Sequence, residues 1–364
     1  MVRHCLAVVL LLFCAVPALA GETRMVTDAL DRQVTIPAKV ERVICSGSGC
    51  LRFLVYLQAQ NLAVAVDDIE ARSSQVDARP YALANPAFRT LPVFGRFRGD
   101  DDPERILALA VQPQVILKVN PEMGMDPVEL ERKTGIPVVV ARCGDLGLKR
   151  QEFYAALRTF AAVVDRKDRA EAVIRFFDEH IADLGQRVAG LPESARPSVY
   201  VGGVAFKGPQ GFQSTEPGYP PFLFLNARNV AAQGTVTPGQ TMVAKEKILE
   251  WNPDVLFLDL STLQLGEAAG GLHELKTDPA YQTLDAVRQG RVYGLLPYNW
   301  YWQNYGSILA DAYYAGTVLY PGRFQDVNPA AKADAIYRFL VGKPVFAEMN
   351  SRFGGLIFAK APLR

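Results

Sequence analysis

The segment Cys45-Ser-Gly-Ser-Gly-Cys50 sets two thiols, two hydroxyls and two glycines between a candidate strand, Arg42–Cys45, and a candidate helix, Cys50–Gln58. Glycines at such a junction let backbone N–H groups turn toward an anionic group, and Ser48 and Arg52 would add a hydroxyl and a cation. Other cations close apolar runs in the same half: Arg96 and Arg98 in Gly95-Arg-Phe-Arg98, Lys118 after Val115–Leu117, and Arg142 after Val138–Ala141. In open α/β sheets ligands gather outside the carboxyl ends of the strands, so five cations at one mouth would suit an anionic ligand. A glycine-bearing tight turn and scattered surface charge account for the same residues singly.

The second half supplies aromatics. Phe206, Phe212, Tyr219 and Phe222 share a Gly- and Pro-rich stretch with Gln213, Ser214, Thr215 and Glu216. Later, Pro297-Tyr-Asn-Trp-Tyr-Trp-Gln-Asn-Tyr305 carries Tyr298, Trp300, Tyr301, Trp302 and Tyr305 with Asn299, Gln303 and Asn304 among them. Aromatic faces with a few polar handles suit a ligand wall; a loop anchored into the core is the alternative. The adjacent pair Tyr313-Tyr314, a possible Fe(III) ligand set, lies in a helical pattern and is expected to pack. Met123 and Met125 read as gap fillers.

Enzymatic motifs are missing. There is no Gly-x-Ser-x-Gly elbow, no His-Glu-x-x-His and no Gly-rich phosphate loop. Beyond residue 20 only His180 and His273 remain, too few for acid–base work or a bare metal site, so no catalytic residue, no resident metal and no cofactor is expected. A net charge of +1 argues against nucleic acid.

The elements that must position these residues are legible from patterning. The 364 residues suffice for two domains, and 49% apolar with 21% charged residues is a globular balance. Residues 1–20 read as a secretory signal peptide: Arg3 and His4 precede an apolar run, and Ala18-Leu19-Ala20 offers a cleavage site after Ala20. That leaves Cys45, Cys50 and Cys143 in an oxidising compartment, with Cys45–Cys50 and Cys45–Cys143 pairing both open. Strands alternate with helices from residue 42 to 141 and again from residue 198 to 293, the signature of α/β units. Between them Ala170, Val173, Ile174, Phe177, Ile181, Leu184 and Val188 trace one face of a helix, with Asp165 as its candidate cap. The expected organisation is an N-terminal lobe (21–164), a linking helix (165–190) and a C-terminal lobe (191–364).

An internal echo supports two related lobes: Glu104-Arg-Ile-Leu before Pro113-Gln-Val-Ile-Leu117, and Glu246-Lys-Ile-Leu before Pro253-Asp-Val-Leu-Phe257. Together with Thr27-Asp-Ala-Leu-Asp-Arg-Gln-Val-Thr-Ile-Pro37, Glu41-Arg-Val-Ile44 and Glu246-Lys-Ile-Leu-Glu-Trp-Asn-Pro-Asp-Val-Leu-Phe257, the pattern resembles the helix-linked (class III) periplasmic substrate-binding proteins of ABC importers, which serve iron-siderophores, haem and cobalamin. The resemblance covers nearly the whole chain beyond residue 20. It implies two α/β lobes with largely parallel sheets, one linking helix and a ligand cleft between the lobes. It also implies a monomer that captures a metal chelate such as an iron-siderophore, closes by a small motion and delivers it to permease subunits. One docking glutamate per lobe follows: Glu246 matches the second-lobe position and Glu104 is the first-lobe candidate. Glutamate and proline are nine residues apart in the first copy and seven in the second.

Overall fold

The computed structural model describes residues 22–363 apart from 73, 235 and 238; the signal-peptide expectation for residues 1–20 lies outside them. Two strands, β1 (Thr23–Thr27) and β2 (Gln33–Pro37), form the antiparallel hairpin that opens this region. The first lobe is built on β3 (Val43–Ser46), β4 (Ala63–Asp67), β5 (Val93–Arg96), β6 (Asp100–Asp101), β7 (Val115–Val119) and β8 (Val138–Ala141). Their order is β6-β5-β4-β3-β7-β8, all parallel except the short edge strand β6. The second lobe uses β9 (Ser198–Gly202), β10 (Ser214–Thr215), β11 (Arg228–Asn229), β12 (Thr241–Met242), β13 (Val255–Asp259) and β14 (Val292–Leu295). Its four-stranded parallel sheet runs β11-β9-β13-β14, with β10 and β12 as a separate antiparallel pair. Both sheets are buried runs of Val, Ile and Leu, as two-sided parallel sheets require.

The linking helix spans Lys167–Arg187, about 32 Å at 1.5 Å per residue. Its apolar stripe is inward: Ala170, Val173, Ile174, Phe177 and Leu184 are buried, and Phe177 packs edge-on to Phe153, 5.3 Å away. Asp165 does not cap it. That residue takes a left-handed φ of 55° and closes the preceding helix, Arg150–Val164; Arg166 stands at the cap position.

The tail does more than complete the second lobe. The helices Tyr305–Leu319, Pro329–Val341 and Phe346–Arg352 reach back, and they touch the first-lobe helices Cys50–Tyr56 and Pro80–Ala84. One apolar cluster therefore runs from the β3–β7 face of the first lobe through the linking helix into the second. A smaller cluster, with Ile44, Phe94, Ile116 and Val138, covers the opposite face of the first sheet.

Tyr305 is the centre of this junction. Its fully buried ring stacks on Phe153 at 3.9 Å and lies edge-on to Phe53 at 6.0 Å, and its hydroxyl donates to the Cys143 carbonyl at 2.8 Å. We expect Tyr305→Ala to cost about 3–5 kcal/mol in urea unfolding, the loss for a fully packed aromatic. Tyr305→Phe should cost about 1 kcal/mol. A loss under about 1 kcal/mol for the alanine variant would show that the junction does not hold the halves together.

Candidate functional site

The loop between β3 and the Cys50–Tyr56 helix turns on two glycines in the left-handed region, Gly47 (φ 91°) and Gly49 (φ 82°). A Cβ on Gly47 would lie 2.8 Å from the Val119 carbonyl oxygen, so only glycine lets the loop settle on the end of β7. A Cβ on Gly49 would meet Arg52 Nη1 at 2.6 Å and Trp302 Cβ at 3.0 Å. These contacts locate the seam between the lobes: Gly49 and Arg52 on one side, Trp302 on the other.

Arg52 is 1% exposed. Its Nε donates to Asn304 Oδ1 at 3.1 Å, and its Nη2 donates to the carbonyls of Tyr301 (3.2 Å) and Trp302 (3.4 Å). The Tyr81 ring lies 4.8 Å from the guanidinium carbon. Nη1 has no partner. Trp302 Nε1 faces the Tyr305 hydroxyl, and the Asn120 amide faces the Cys143 thiol. Asn120 ends β7, and its Oδ1 accepts from the Cys143 N–H; the Cys143 carbonyl in turn holds Tyr305. A buried donor without an acceptor costs about 1–3 kcal/mol, so the open Nη1 of Arg52 marks a place suited to an acceptor-rich guest.

The opposing wall is a tight turn. Asn299 bridges Gln303, and Tyr301 (φ 57°) and Trp302 (φ 71°) between them are both left-handed. Two consecutive bulky residues in that region are strained, a cost of order 1–3 kcal/mol each. The first lobe holds the turn: the Tyr301 hydroxyl donates to Asp67, its ring lies 5.8 Å from Phe97, and Arg79 sits 5.7 Å from the ring centre.

The sequence-nominated residues fall into distinct sets. Ser48, Arg52, Tyr301 and Asn304 meet at the seam, and Asn304 braces the turn by donating to the carbonyls of Tyr298 and Trp300. Trp300 is half-buried against Phe353. Lys118 is fully buried but already paired, with Asp101 at 2.8 Å and Ser46 at 3.0 Å. Arg96 and Arg142 lie on the surface and pair with Asp100 and Glu122. Phe206 is exposed beside Lys207.

Two expectations for the wall need correction. Phe212 lies in the core, edge-on to Tyr200 and Tyr281, and Tyr219 lies there against Phe222 and Tyr298. The loop folds back on β9, with Ser214 bonding the Val204 carbonyl, and this turns its aromatics inward. Tyr298 is buried too, its hydroxyl donating to Glu216. The docking candidates Glu104 and Glu246 are both exposed, and each is the second residue of its helix, Pro103–Leu107 and Lys245–Trp251. The nine- and seven-residue spacings thus lie in the connections to the next strands.

Several site features escaped the sequence reading: Asp67, Asn120, and the buried carboxyls Asp259 and Asp311 near the second-lobe strand ends; Glu216 was noted there only as a polar neighbour of the aromatics. Asp67 and Asp259 close β4 and β13, so the strand-end rule could have nominated both. A groove of about 620 Å³ also exists, but it is lined by Asp68, Glu104, Lys133 and neighbours of the first lobe alone, so it is not a two-lobed grip.

Two parallel-sheeted lobes, one linking helix and opposed strand-end loops define a two-lobed binding protein. Residues 43–298 match the family model for periplasmic binding proteins, and the chain belongs to that family. It is 24% identical over 346 residues to the molybdate-binding protein MolA of Haemophilus influenzae, covering 88% of this chain and 92% of that one. The structure of MolA bound to molybdate superposes with a TM-score of 0.66 at 20% identity, covering 88% of this chain and 98% of that one. A solute-binding protein from Veillonella parvula gives a TM-score of 0.69 at 17% identity over 92% and 97% of the two chains. The heme-binding protein HutB of Vibrio cholerae gives 0.56 at 20% over 77% and 99%. Among the described residues no helix is long and apolar enough to cross a membrane.

Burial raises several carboxyls. It pushes Asp67, also repelled by Glu70, to about 7, and Glu216 and Asp259 each to about 7; Asp311 is held well above the usual range. Unfolded carboxyls titrate near 4. A folded pKa above the unfolded one gives stability that is complete below about 4 and lost as pH rises to about 7. Asp326, held at about 2 by Arg187, titrates below that window, while His180, lowered to about 4 by burial, acts with the opposite sign between about pH 4 and 6.5 and offsets part of the carboxyl effect. The melting temperature should therefore be higher at pH 5 than at pH 8, and Asp259→Asn should flatten the difference. Equal values, or a higher one at pH 8, would contradict the assignment.

Proposed function

We propose that this protein captures a compact anionic solute, a metal oxyanion of the molybdate class, at the Arg52 seam and hands it to the permease of an ABC importer. One observation carries the reading: the free Nη1 of a buried guanidinium. A tetrahedral oxyanion offers acceptors on every side and no donors, which suits that group. The relative whose name says that it binds molybdate supports the same class.

The larger guest expected from the sequence, an iron-siderophore-like chelate, suits the seam less well. Its wall would need Phe212, Tyr219 and Tyr298, and those rings are packed in the core. Three of the nominated cations, Arg96, Lys118 and Arg142, already have carboxylate partners. Among the four cations assigned to ligand binding, Arg52 is the buried one with no carboxylate partner and a donor left open among the described residues. No bond is made or broken in this role; binding and release suffice. At the mouth of the seam, lobe opening would part the Arg52 contacts to the turn and the Tyr301 contacts to Asp67, Phe97 and Arg79, while the linking helix limits the swing. Glu104 and Glu246 then offer one exposed carboxylate per lobe to the permease.

Calorimetric titration tests the reading. Molybdate should bind, sulfate should serve as the size comparator, and Arg52→Ala should weaken molybdate by about 100-fold, the loss of one buried charge-assisted bond. Arg52→Lys should fall between. No heat with molybdate but tight binding of a ferric siderophore would reverse the choice of ligand.

A further inference from the structure

We infer that Cys45 and Cys50 form a disulfide in the exported protein and that Cys143 stays a thiol. The inference rests on the loop geometry and on the family's periplasmic setting, and it does not depend on which solute is bound. All three thiols are buried. The two left-handed glycines fold the Ser46–Gly49 loop so that both ends converge on one residue of β7. Cys45 stands opposite Leu117 in the β3–β7 register, and Cys50 Sγ donates to the Leu117 carbonyl at 3.3 Å. The Cys45 side chain is on the helix-bearing face of the sheet, in the same apolar cluster as Cys50, Leu51 and Leu54, while its neighbour Ile44 belongs to the opposite face. Cys45 and Cys50 thus flank the same residue of β7, and burial first, then the Cys45 thiol and more weakly Cys143, push the Cys50 thiol up.

Cys143 is held differently. Its N–H donates to Asn120 Oδ1 and its carbonyl accepts from Tyr305, which fixes it at the end of β8.

Neutral, enclosed thiols react slowly, so oxidation belongs to folding, before the loop closes. The oxidant is a disulfide, either that of an oxidising dithiol protein in the periplasm or a small-molecule disulfide in vitro. One cysteine thiolate attacks an oxidant sulfur, forming a mixed disulfide and expelling one oxidant thiolate. The second cysteine thiolate then attacks the first cysteine's sulfur and expels the other oxidant thiolate. Cys45 Sγ–Cys50 Sγ is formed, and the oxidant leaves as two thiols with the two electrons and two protons. The product is a closed ring, Cys45–Cys50, that contains Ser48 and ends two residues before Arg52, which restricts the loop on the first-lobe side of the seam.

A tryptic map reads this directly, because Val43–Arg52 is a single tryptic peptide containing both cysteines and Cys143–Lys149 is another. Full-length protein purified from a bacterial periplasm is denatured with excess N-ethylmaleimide and digested without reductant. The Val43–Arg52 peptide should carry no maleimide and be about 2 Da lighter than its reduced form, the two hydrogens removed on bridging, and the Cys143 peptide should carry one maleimide. Two maleimides on Val43–Arg52, or that peptide linked to Cys143–Lys149, would overturn the inference. Refolding reduced protein with glutathione disulfide should give the same map. Cys45→Ser should make Cys50 alkylatable, whereas Cys143→Ser should leave the bridge in place.

Discussion

A guanidinium withdrawn from water has to be satisfied by whatever closes over it, and that requirement organises the meeting of the two lobes. Arg52 comes from a first-lobe helix, yet every acceptor it uses, Asn304 Oδ1 and the carbonyls of Tyr301 and Trp302, belongs to the turn after β14. The cost of burying a cation with a donor left over is several kcal/mol unless another acceptor arrives. The lobes thus agree on one contact geometry, and Nη1 is the donor that it leaves without an acceptor. The turn is strained on its own account, with Tyr301 and Trp302 both left-handed, and persists because the first lobe grips it through Asp67, Phe97 and Arg79.

Most of the scaffold was legible because its periodicity is local. The stripe on Lys167–Arg187 and the apolar runs of β3, β7, β8 and β13 announce a linking helix and parallel strands without tertiary information. The strand-end rule nominated Ser48 and Arg52, and the structure buries both in the loop and helix that follow β3. The site was less legible where orientation depends on distant partners. Lys118 and Arg52 read alike, as cations near strand ends, and only the position of Asp101 shows that Lys118 is already paired. Phe212 and Tyr219 sit in loop-like sequence, and nothing in that sequence says that the loop folds back onto β9. Asp165 has the right type for a cap and the wrong backbone conformation for one.

The second lobe meets the seam with a different chemistry. Glu216, Asp259 and Asp311 lie buried near the ends of its strands with Tyr219 and Tyr298, and burial raises all three, Glu216 and Asp259 to about 7. The first lobe supplies the fixed positive charge and the second supplies aromatic cover and backbone oxygens, a division that the shared apolar cluster and the tail helices hold in place.

The central claim is the location of the guest. Crystals grown with molybdate, measured at a wavelength where molybdenum scatters anomalously, should show one strong anomalous peak within hydrogen-bonding reach of Arg52 Nη1. A peak in the first-lobe groove beside Glu104, or anywhere that Arg52 cannot reach, would contradict the account.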